Sequence, residues 1–505
     1  MTGGANLMSY RLTIFSVLLA VLTAGFCFAQ GGDFKLGEPE LYNRLDLNWH
    51  GAGARAQAMG GAFISIVDDA SAITWNPAGL IQVLDPQISF SGSYRNPTNT
   101  WEYSADGFGM HSYISDEDVF KLSYASFLAP IMIRGHQFSA SVAYQRMNEI
   151  AFARYTTPEV DASVASTSWG DTTVASEAWQ SSEGGVNAFK LGFGTMLYKD
   201  LAFGMSVNLY FGSSEDLTDV RARWAETVLE GTYSVDMQRE WRAHFLNESD
   251  YFGANLTLGF QYKGDKWRLG ATMETPFDLQ RTFDVTQNDT AYTGQVGSDL
   301  LPEDPPPLYI LIDQEDRIEM PWIITIGGSY DLTEKLTVAT DFEWARFGKS
   351  NISVLDSGMI TSSGDNEDYF SDYWMRLFNS GELRVGAEYR WERESGTYPI
   401  RAGFRYFAHY LSSVANFTNG FSRNVEQDAD QNVLHIGSIQ SFGDERVTGI
   451  ALTGGFGAHW ETIWLDAAVE YYSDSREVSG KSSYNFTADD KYDDLAITLT
   501  FTGFF

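Results

Sequence analysis

Leu495-Ala-Ile-Thr-Leu-Thr-Phe-Thr-Gly-Phe-Phe505 alternates residue by residue. Leu495, Ile497, Leu499, Phe501, Gly503 and Phe505 fall on one face, and Ala496, Thr498, Thr500, Thr502 and Phe504 on the other. Side chains of an extended strand point alternately to its two faces, so this is a strand with an apolar side and a hydroxyl-rich side. A tilted strand crosses a bilayer in roughly 9–11 residues, which is the length over which the alternation holds. The pattern recurs in Leu201, Phe203, Met205, Val207, Leu209 and Phe211, in Leu336, Val338, Thr340, Phe342 and Trp344, and in Ile463, Leu465, Ala467, Val469 and Tyr471.

Alternation bounded by turn residues predicts strands near 86–95, 118–128, 136–146, 186–197, 200–211, 252–263, 265–274, 320–331, 334–346, 382–393, 398–408, 447–460, 462–472 and 494–505. That is about fourteen, an even number, as bacterial single-chain barrels require. The connections alternate in length. Tyr198-Lys199-Asp200, Gly264-Asp265 and Leu332-Thr333-Glu334 are short, whereas 96–117, 147–185, 212–251, 275–319, 347–381, 409–446 and 473–493 are long. Short periplasmic turns and long external loops are the asymmetry of an outer-membrane barrel. The expected fold is therefore all-β, a transmembrane antiparallel barrel, with both chain ends on the periplasmic side.

Composition narrows the function. A net charge of −33 argues against nucleic acid, since nothing would neutralise phosphates. Aromatic residues at 15% argue against disorder. No apolar run of helical-span length follows residue 29, so entry into a membrane requires a barrel. The N-terminus reads as a signal peptide over 1–29, with Arg11, the apolar stretch Leu12–Phe26, and Ala29 at the cleavage site. Met8 is an alternative start. Cys27, the one cysteine, leaves with the signal, and the bulky Phe26 before it disfavours a lipid anchor.

Several strands place charge on the face opposite the lipid. Asp341 and Glu343 share a parity, as do Arg384, Glu388, Arg390 and Glu392, then Arg401 and Arg405, then Asp466 and Glu470. A lipid-facing Arg or Lys at mid-membrane costs roughly 2–4 kcal/mol, so these residues are expected to face the lumen as a ladder of wall ion pairs, with a second role in holding a plug.

Residues 30–84 precede the barrel (85–505) and are expected to form that plug, an N-terminal hatch inside the lumen. The centre is rich in Gly and Ala, which lets backbones approach closely. Asn76-Pro77 fits a helix start, with Asn as cap and Pro at the first helical position. Asp68 and Asp69 are placed to cap a short helix over Ala70–Trp75.

The run GAGARAQAMGGAFISIVDDASAITWNPAGL (51–80) resembles the hatch signature of the FadL/TodX family of outer-membrane transporters, with Asn76-Pro77-Ala78 matching its triplet. Met320–Tyr330 with Leu336–Trp344, and Leu383–Arg390 with Ile400–Arg405, resemble its hairpins. The aromatic C-terminus resembles the assembly signal of outer-membrane barrels. The resemblance implies fourteen strands around a hatch and passive uptake of long-chain fatty acids or aromatic hydrocarbons. Ligand would be captured in an outer groove, passed to a pocket above the hatch and released through the wall, with no cofactor and no metal. An inner site would involve Arg55, Phe63, Asp68, Asp69, Trp75, Asn76, Pro77 and Ala78. Expected partners are the hydrophobic ligand, outer-membrane lipid and the barrel-assembly machinery, around a monomer. Two departures stand out. The leader before Gly51, with Trp49, resembles PorV-type barrels that serve protein secretion through a protein partner, which is the alternative function. The stretch 136–146 has neither Gly nor Pro, so the kink that opens the family's lateral gate is not expected there.

The outer groove is expected where apolar residues crowd the long connections. Leu217, Val220, Trp224, Val228 and Leu229 recur at near-helical spacing, followed by Trp241, Phe245 and Leu246. Leu301, Tyr309 and Ile310 lie in the next connection. Exposed loops do not keep so many large apolar residues unless they bury them against each other or a ligand. No catalytic constellation is legible: His50, His111, His136, His244, His409, His435 and His459 are scattered. Asp428-Ala-Asp-Gln-Asn432 begins like a calcium loop but has Val433 and Ile439 where Gly and Glu belong. An enzyme is not expected.

Overall fold

The computed structural model describes residues 49–505 apart from 106–107, 116–118, 135, 161–165, 168–169, 172–173, 231–232, 303–308, 351, 356–369, 373–376, 413, 419–422, 428–432, 439–440, 443–445 and 482–484. The expected signal peptide with Cys27, the leader 30–48 and the Asp428–Asn432 run lie outside the described residues.

Fourteen strands form the wall: β1 (Gln87–Ala105), β2 (Val119–Ile133), β3 (His136–Val160), β4 (Val174–Tyr198), β5 (Leu201–Glu230), β6 (Tyr233–Lys263), β7 (Trp267–Glu274), β8 (Ile323–Asp331), β9 (Leu336–Ala345), β10 (Ser380–Arg393), β11 (Gly396–Ser412), β12 (Arg446–His459), β13 (Ile463–Lys481) and β14 (Asn485–Phe504). Each pairs antiparallel with the next, and β1 closes on β14 from Gln87↔Phe504 to Ala105↔Phe486. Closure removes sheet edges at membrane depth, where an unpaired N–H or C=O finds no water.

The alternation has the expected meaning. On β14, Leu495, Ile497, Leu499 and Phe501 are exposed on the outside, while Ala496, Thr498 and Thr502 are buried within. On β12, Ile450, Leu452 and Phe456 face outward and Ala451 and Thr453 inward. A continuous band of exposed Leu, Ile and Phe on a closed sheet is a lipid-contacting surface. The protein is a bacterial outer-membrane β-barrel. Aromatic contacts gather near the short-turn rim, with Tyr262–Trp267 ring centroids 5.0 Å apart and Trp464–Phe504 4.8 Å apart, as in the interfacial girdles of such barrels. The closing seam is lined inside by hydroxyl pairs, Ser89 with Thr502 at 3.0 Å, Ser91 with Thr500 at 2.7 Å and Ser93 with Thr498 at 3.0 Å.

The alternation of short and long connections holds, but the long ones are not loops. β3 and β4 run through most of 147–185, and β5 and β6 form one tall hairpin through 212–251. Phe277–Gln295 and Tyr309–Met320 form a further hairpin whose first strand pairs with the outer half of β6. The sequence reading stopped the strands where apolar alternation stops. Antiparallel ladders need only mutual backbone hydrogen bonds, so they continue above the lipid with polar side chains. On β6 the outward sequence passes from Phe252 to exposed Asp250 and Glu248, which marks the upper edge of the belt.

Substituting Leu499 by Arg should cost about 2–4 kcal/mol, because it places a charge in mid-belt. Thr498→Ser keeps the hydroxyl that meets Ser93 and should leave stability unchanged. A urea titration read from the heat-modifiable gel band checks both.

Candidate functional site

Residues 49–85 pack against inward-facing side chains. The segment contains α1 (Ala54–Ala58), α2 (Ala72–Trp75) and a 3₁₀ turn (Pro77–Gln82). Neither helix is long enough to be stable alone. Each is held by the wall. Tyr124 on β2 donates its hydroxyl to the Ala70 carbonyl at 2.7 Å, and Gln145 on β3 donates to the His50 carbonyl at 2.7 Å. Gln261 on β6 donates to the Ser65 carbonyl at 3.0 Å, and Thr453 on β12 to the Ala58 carbonyl at 3.1 Å. Thr500 on β14 accepts from the Ala54 N–H at 2.8 Å. Asp341 on β9 accepts from both the Phe63 and Ile64 N–H groups, at 2.6 and 3.0 Å.

Asn76-Pro77-Ala78 does what its sequence indicates. The Asn76 side-chain oxygen Oδ1 caps the 3₁₀ turn by accepting from the Ala78 N–H at 3.1 Å. Its amide donates to the Ile64 carbonyl at 2.9 Å and to the Phe260 carbonyl of β6 at 3.0 Å. The wall has been hollowed to receive this corner. A Cβ on Gly204 would lie 2.1 Å from the Pro77 carbonyl carbon, and one on Gly403 2.1 Å from the Gly60 nitrogen. Asp69 accepts from the Ser71 N–H at 2.9 Å ahead of α2, while Asp68 turns to Arg55. Phe63 and Trp75 meet edge to face at 6.1 Å, and the Trp75 indole N–H donates to the Ala52 carbonyl at 2.8 Å. The expected inner-site residues thus come together in one packed corner.

The charged ladder faces the interior, and the inner segment is part of it. Arg55 contacts Asp68 at 2.5 Å, Asp69 at 3.2 Å and Glu388 of β10 at 3.2 Å. Glu388 also takes Arg401 at 2.7 Å, and Arg401 takes Asp466 at 2.5 Å. Burial alone would lower the Arg55 pKa, but Asp68, Glu388 and Asp69 raise it well above the ordinary guanidinium value. A second group centres on Glu382, which meets Arg384 at 3.0 Å, Arg405 at 3.3 Å and His50 at 3.0 Å. Arg384 continues to Glu343 at 2.7 Å, and Arg405 to Glu470 at 2.6 Å. Arg390 does not join; its guanidinium donates to the Glu334 carbonyl at the β8–β9 turn. His50, Glu382 and the tethering role of Asp341 were not singled out in the sequence, because their partners lie hundreds of residues away.

An apolar layer of buried Ile150, Val186, Tyr210, Tyr251, Leu279, Ile318, Phe347 and Tyr410 draws on β3 to β6, on β11, on the turn after β9 and on the base of the accessory hairpin. Trp49 packs on it from the inner segment, with its ring 4.9 Å from Tyr210, and Tyr210 stacks on Phe277 at 4.7 Å. Phe347 and Tyr410 are 4.6 Å apart.

Residues 140–407, just over half of the chain, match the BamG family. The chain belongs to the BamG family. A search of curated proteins found no match. Among solved structures, a TodX monoaromatic hydrocarbon channel (deltaS2 mutant) is 17% identical with a TM-score of 0.53, covering 91% of this chain and 100% of that one. A Pseudomonas aeruginosa FadL homologue is 10% identical with a TM-score of 0.51, covering 90% of this chain and all of that one. The FadL/TodX-like architecture expected from the sequence is the fold of this BamG barrel.

The eight residues expected to line an outer groove lie on strands, which corrects the near-helical spacing read for Leu217, Val220, Trp224, Val228 and Leu229. Register sorts their positions. Trp224 pairs with Arg239, Val220 with Ala243, Thr218 with Phe245 and Ala222 with Trp241, so Val220, Trp224, Trp241 and Phe245 share the parity of lumen-facing Asn247 and Tyr251. Tyr309 pairs with Gln287, itself opposite Phe245, and Leu301 with Thr293, itself opposite Arg239, which puts both positions in the same set. Leu217 and Ile310 have the opposite parity and belong to the outer face.

The stretch 136–146 is regular, as its composition implies. The irregularity comes just beyond it. The β2–β3 ladder stops at Tyr124↔Gln145, and β3 bulges against β4 between Arg146 and Asn148. Just beyond the bulge, Gly185 and Gly184, at φ 149° and 138°, stand opposite Glu149 and Ile150. Arg146 secures the bulge through Glu149 at 2.8 Å and the Asn187 side chain at 3.0 Å.

Asn76→Ala should cost the inner segment about 1–3 kcal/mol, since the buried Ile64 carbonyl loses its Asn76 donor and the tie to the Phe260 carbonyl is lost with it. Limited proteolysis in detergent should then cut within 51–83 while the wall still migrates as a folded barrel.

Proposed function

We propose that this BamG-family barrel passively admits hydrophobic small molecules through the outer membrane. The observation that carries the reading is the apolar layer around Trp49, Tyr210, Phe277 and Tyr410, set between the inner segment and the tall hairpins. Ligand is captured among the aromatic positions of the hairpins, where each buried methylene gains roughly 0.8 kcal/mol. It then settles against the apolar layer. The inner segment acts as the hatch. Release through the wall is supported by the interrupted β2–β3 ladder and the bulge at Arg146–Asn148. Long-chain fatty acids and aromatic hydrocarbons are the candidate cargoes. No cofactor takes part.

A second reading is a protein-partner role at the outer membrane, with the barrel-assembly machinery as the expected partner. The family match supports it, as does the number of tethers on the inner segment, which favour a shut barrel.

Proteoliposome uptake of radiolabelled toluene and oleate separates the readings. Uptake above that of empty liposomes supports the first, and Trp224→Ala with Trp241→Ala should then reduce it several-fold while the folded band is retained. No uptake of either compound, together with a stoichiometric protein partner on pull-down, supports the second.

A further inference from the structure

Two opposite charges face the lumen without meeting. Lys190 on β4 is 5% exposed. Among the described residues it makes neither a hydrogen bond nor an ion pair, and the charge that acts on it is that of Glu274, at the end of β7. Glu274 is half-buried on the inward face and touches no cation directly among the described residues. This sets the pair apart from Arg55, Arg384, Arg401 and Arg405, each of which contacts a carboxylate.

Uncharged groups occupy the wall between them and satisfy one another. Lys190 stands opposite Asn208, Asn208 opposite Asn255, and Thr257 opposite Glu274. The two charges therefore spring from strands roughly 14 Å apart along the wall. Asn208 donates to Asn255 Oδ1 at 2.7 Å and to Thr257 Oγ1 at 2.9 Å, and the Tyr210 hydroxyl donates to the same Asn255 oxygen at 3.1 Å. The Asn255 amide reaches the Glu274 carboxylate at 3.5 Å. None of these contacts involves Lys190. Toward the periplasm the inner segment closes the space: a Cβ on Gly192 would lie 2.8 Å from Ile73 and 3.0 Å from Leu80. Toward the outside, Ala188, Val186 and Tyr210 continue the same face as part of the apolar layer. A buried ammonium is costly unless it is paired and hydrogen-bonded, and Lys190 has neither kind of contact.

We propose that Lys190 and Glu274 form the head-group site for a zwitterionic amphiphile. Lys190 takes its acidic group, Glu274 takes its ammonium, and its chain lies outward against Ala188, Val186 and Tyr210. Charge-assisted hydrogen bonds at both ends give each buried group the partner it lacks. A neutral hydrocarbon leaves both charges unmet. A simple fatty acid satisfies Lys190 but brings a second carboxylate toward Glu274, so the pair selects against it. The inference rests on the reading that the lumen takes hydrophobic molecules and adds the head group that those molecules carry.

The probes are 2-aminotetradecanoate, tetradecanoate and tetradecylammonium, which share one chain length and differ in the head. Each is titrated calorimetrically at neutral pH into the full mature chain in a maltoside detergent. The zwitterion should bind at least about tenfold more tightly than either single-charge probe. Glu274→Gln should abolish its advantage over tetradecanoate, and Lys190→Met its advantage over tetradecylammonium, with the folded band retained. A merely structural role for the two residues would weaken all three probes alike. The ranking in the unaltered chain tests the proposal even where a variant fails to fold. Equal or tighter binding of tetradecanoate overturns it, as does a ranking that neither folded variant changes; both leave the reading of the lumen standing. No binding of any of the three probes overturns that reading as well.

Discussion

Within hydrocarbon, a backbone N–H or C=O without a partner costs several kcal/mol, and no water is at hand to supply one. Closure of β1 on β14 answers that constraint, and much else follows from it. Once the wall is a closed ladder, each wall strand has one face for lipid and one for the interior. The lipid face must be apolar. The interior is then the place where charge, hydroxyls and amides can be kept, provided that they find one another. The hydroxyl pairs at the closing seam and the ion pairs on β9 to β13 are two outcomes of the same sorting.

The interior charges and the inner segment complete each other. Glu388 and Glu382 each take a cation from the wall and a further partner from the inner segment, the Arg55 guanidinium in one case and the His50 ring nitrogen in the other. A buried pair that loses one partner typically costs 3–5 kcal/mol, because the survivor is left uncompensated. The wall therefore favours the segment in place. The Gly and Ala that let the segment approach the wall and the glycines at 204 and 403 that receive it serve the same end.

What could be read from sequence follows the physical range of each signal. Alternation reports which face meets lipid, so all fourteen strands were legible within the belt. It falls silent above the belt, where β5 and β6 continue with polar side chains, and there loops were expected instead. Asn76-Pro77 was legible because a cap and the turn it begins are local. The donors and acceptors that fasten the segment were not, because Gln145, Gln261, Asp341 and Thr500 are ordinary polar residues until the register brings them inward. The position of Ile310 on the outer face also required the register, since the bulge at Asp313 reverses the parity along that strand.

The hydrogen bond from Ala54 to Thr500 joins residues 446 apart in sequence. Thr500 is also half of a seam pair with Ser91. The same hydroxyl is thus shared by the contact that seals the cylinder and the contact that seats its contents, and neither can be completed until the C-terminal strand arrives. Contacts of such separation are intrinsically slow to form, and the edges waiting for them are prone to aggregate. Until β14 closes on β1, the sheet has two unsatisfied borders and its interior charge has no shelter. Its most vulnerable period therefore comes before the native state exists.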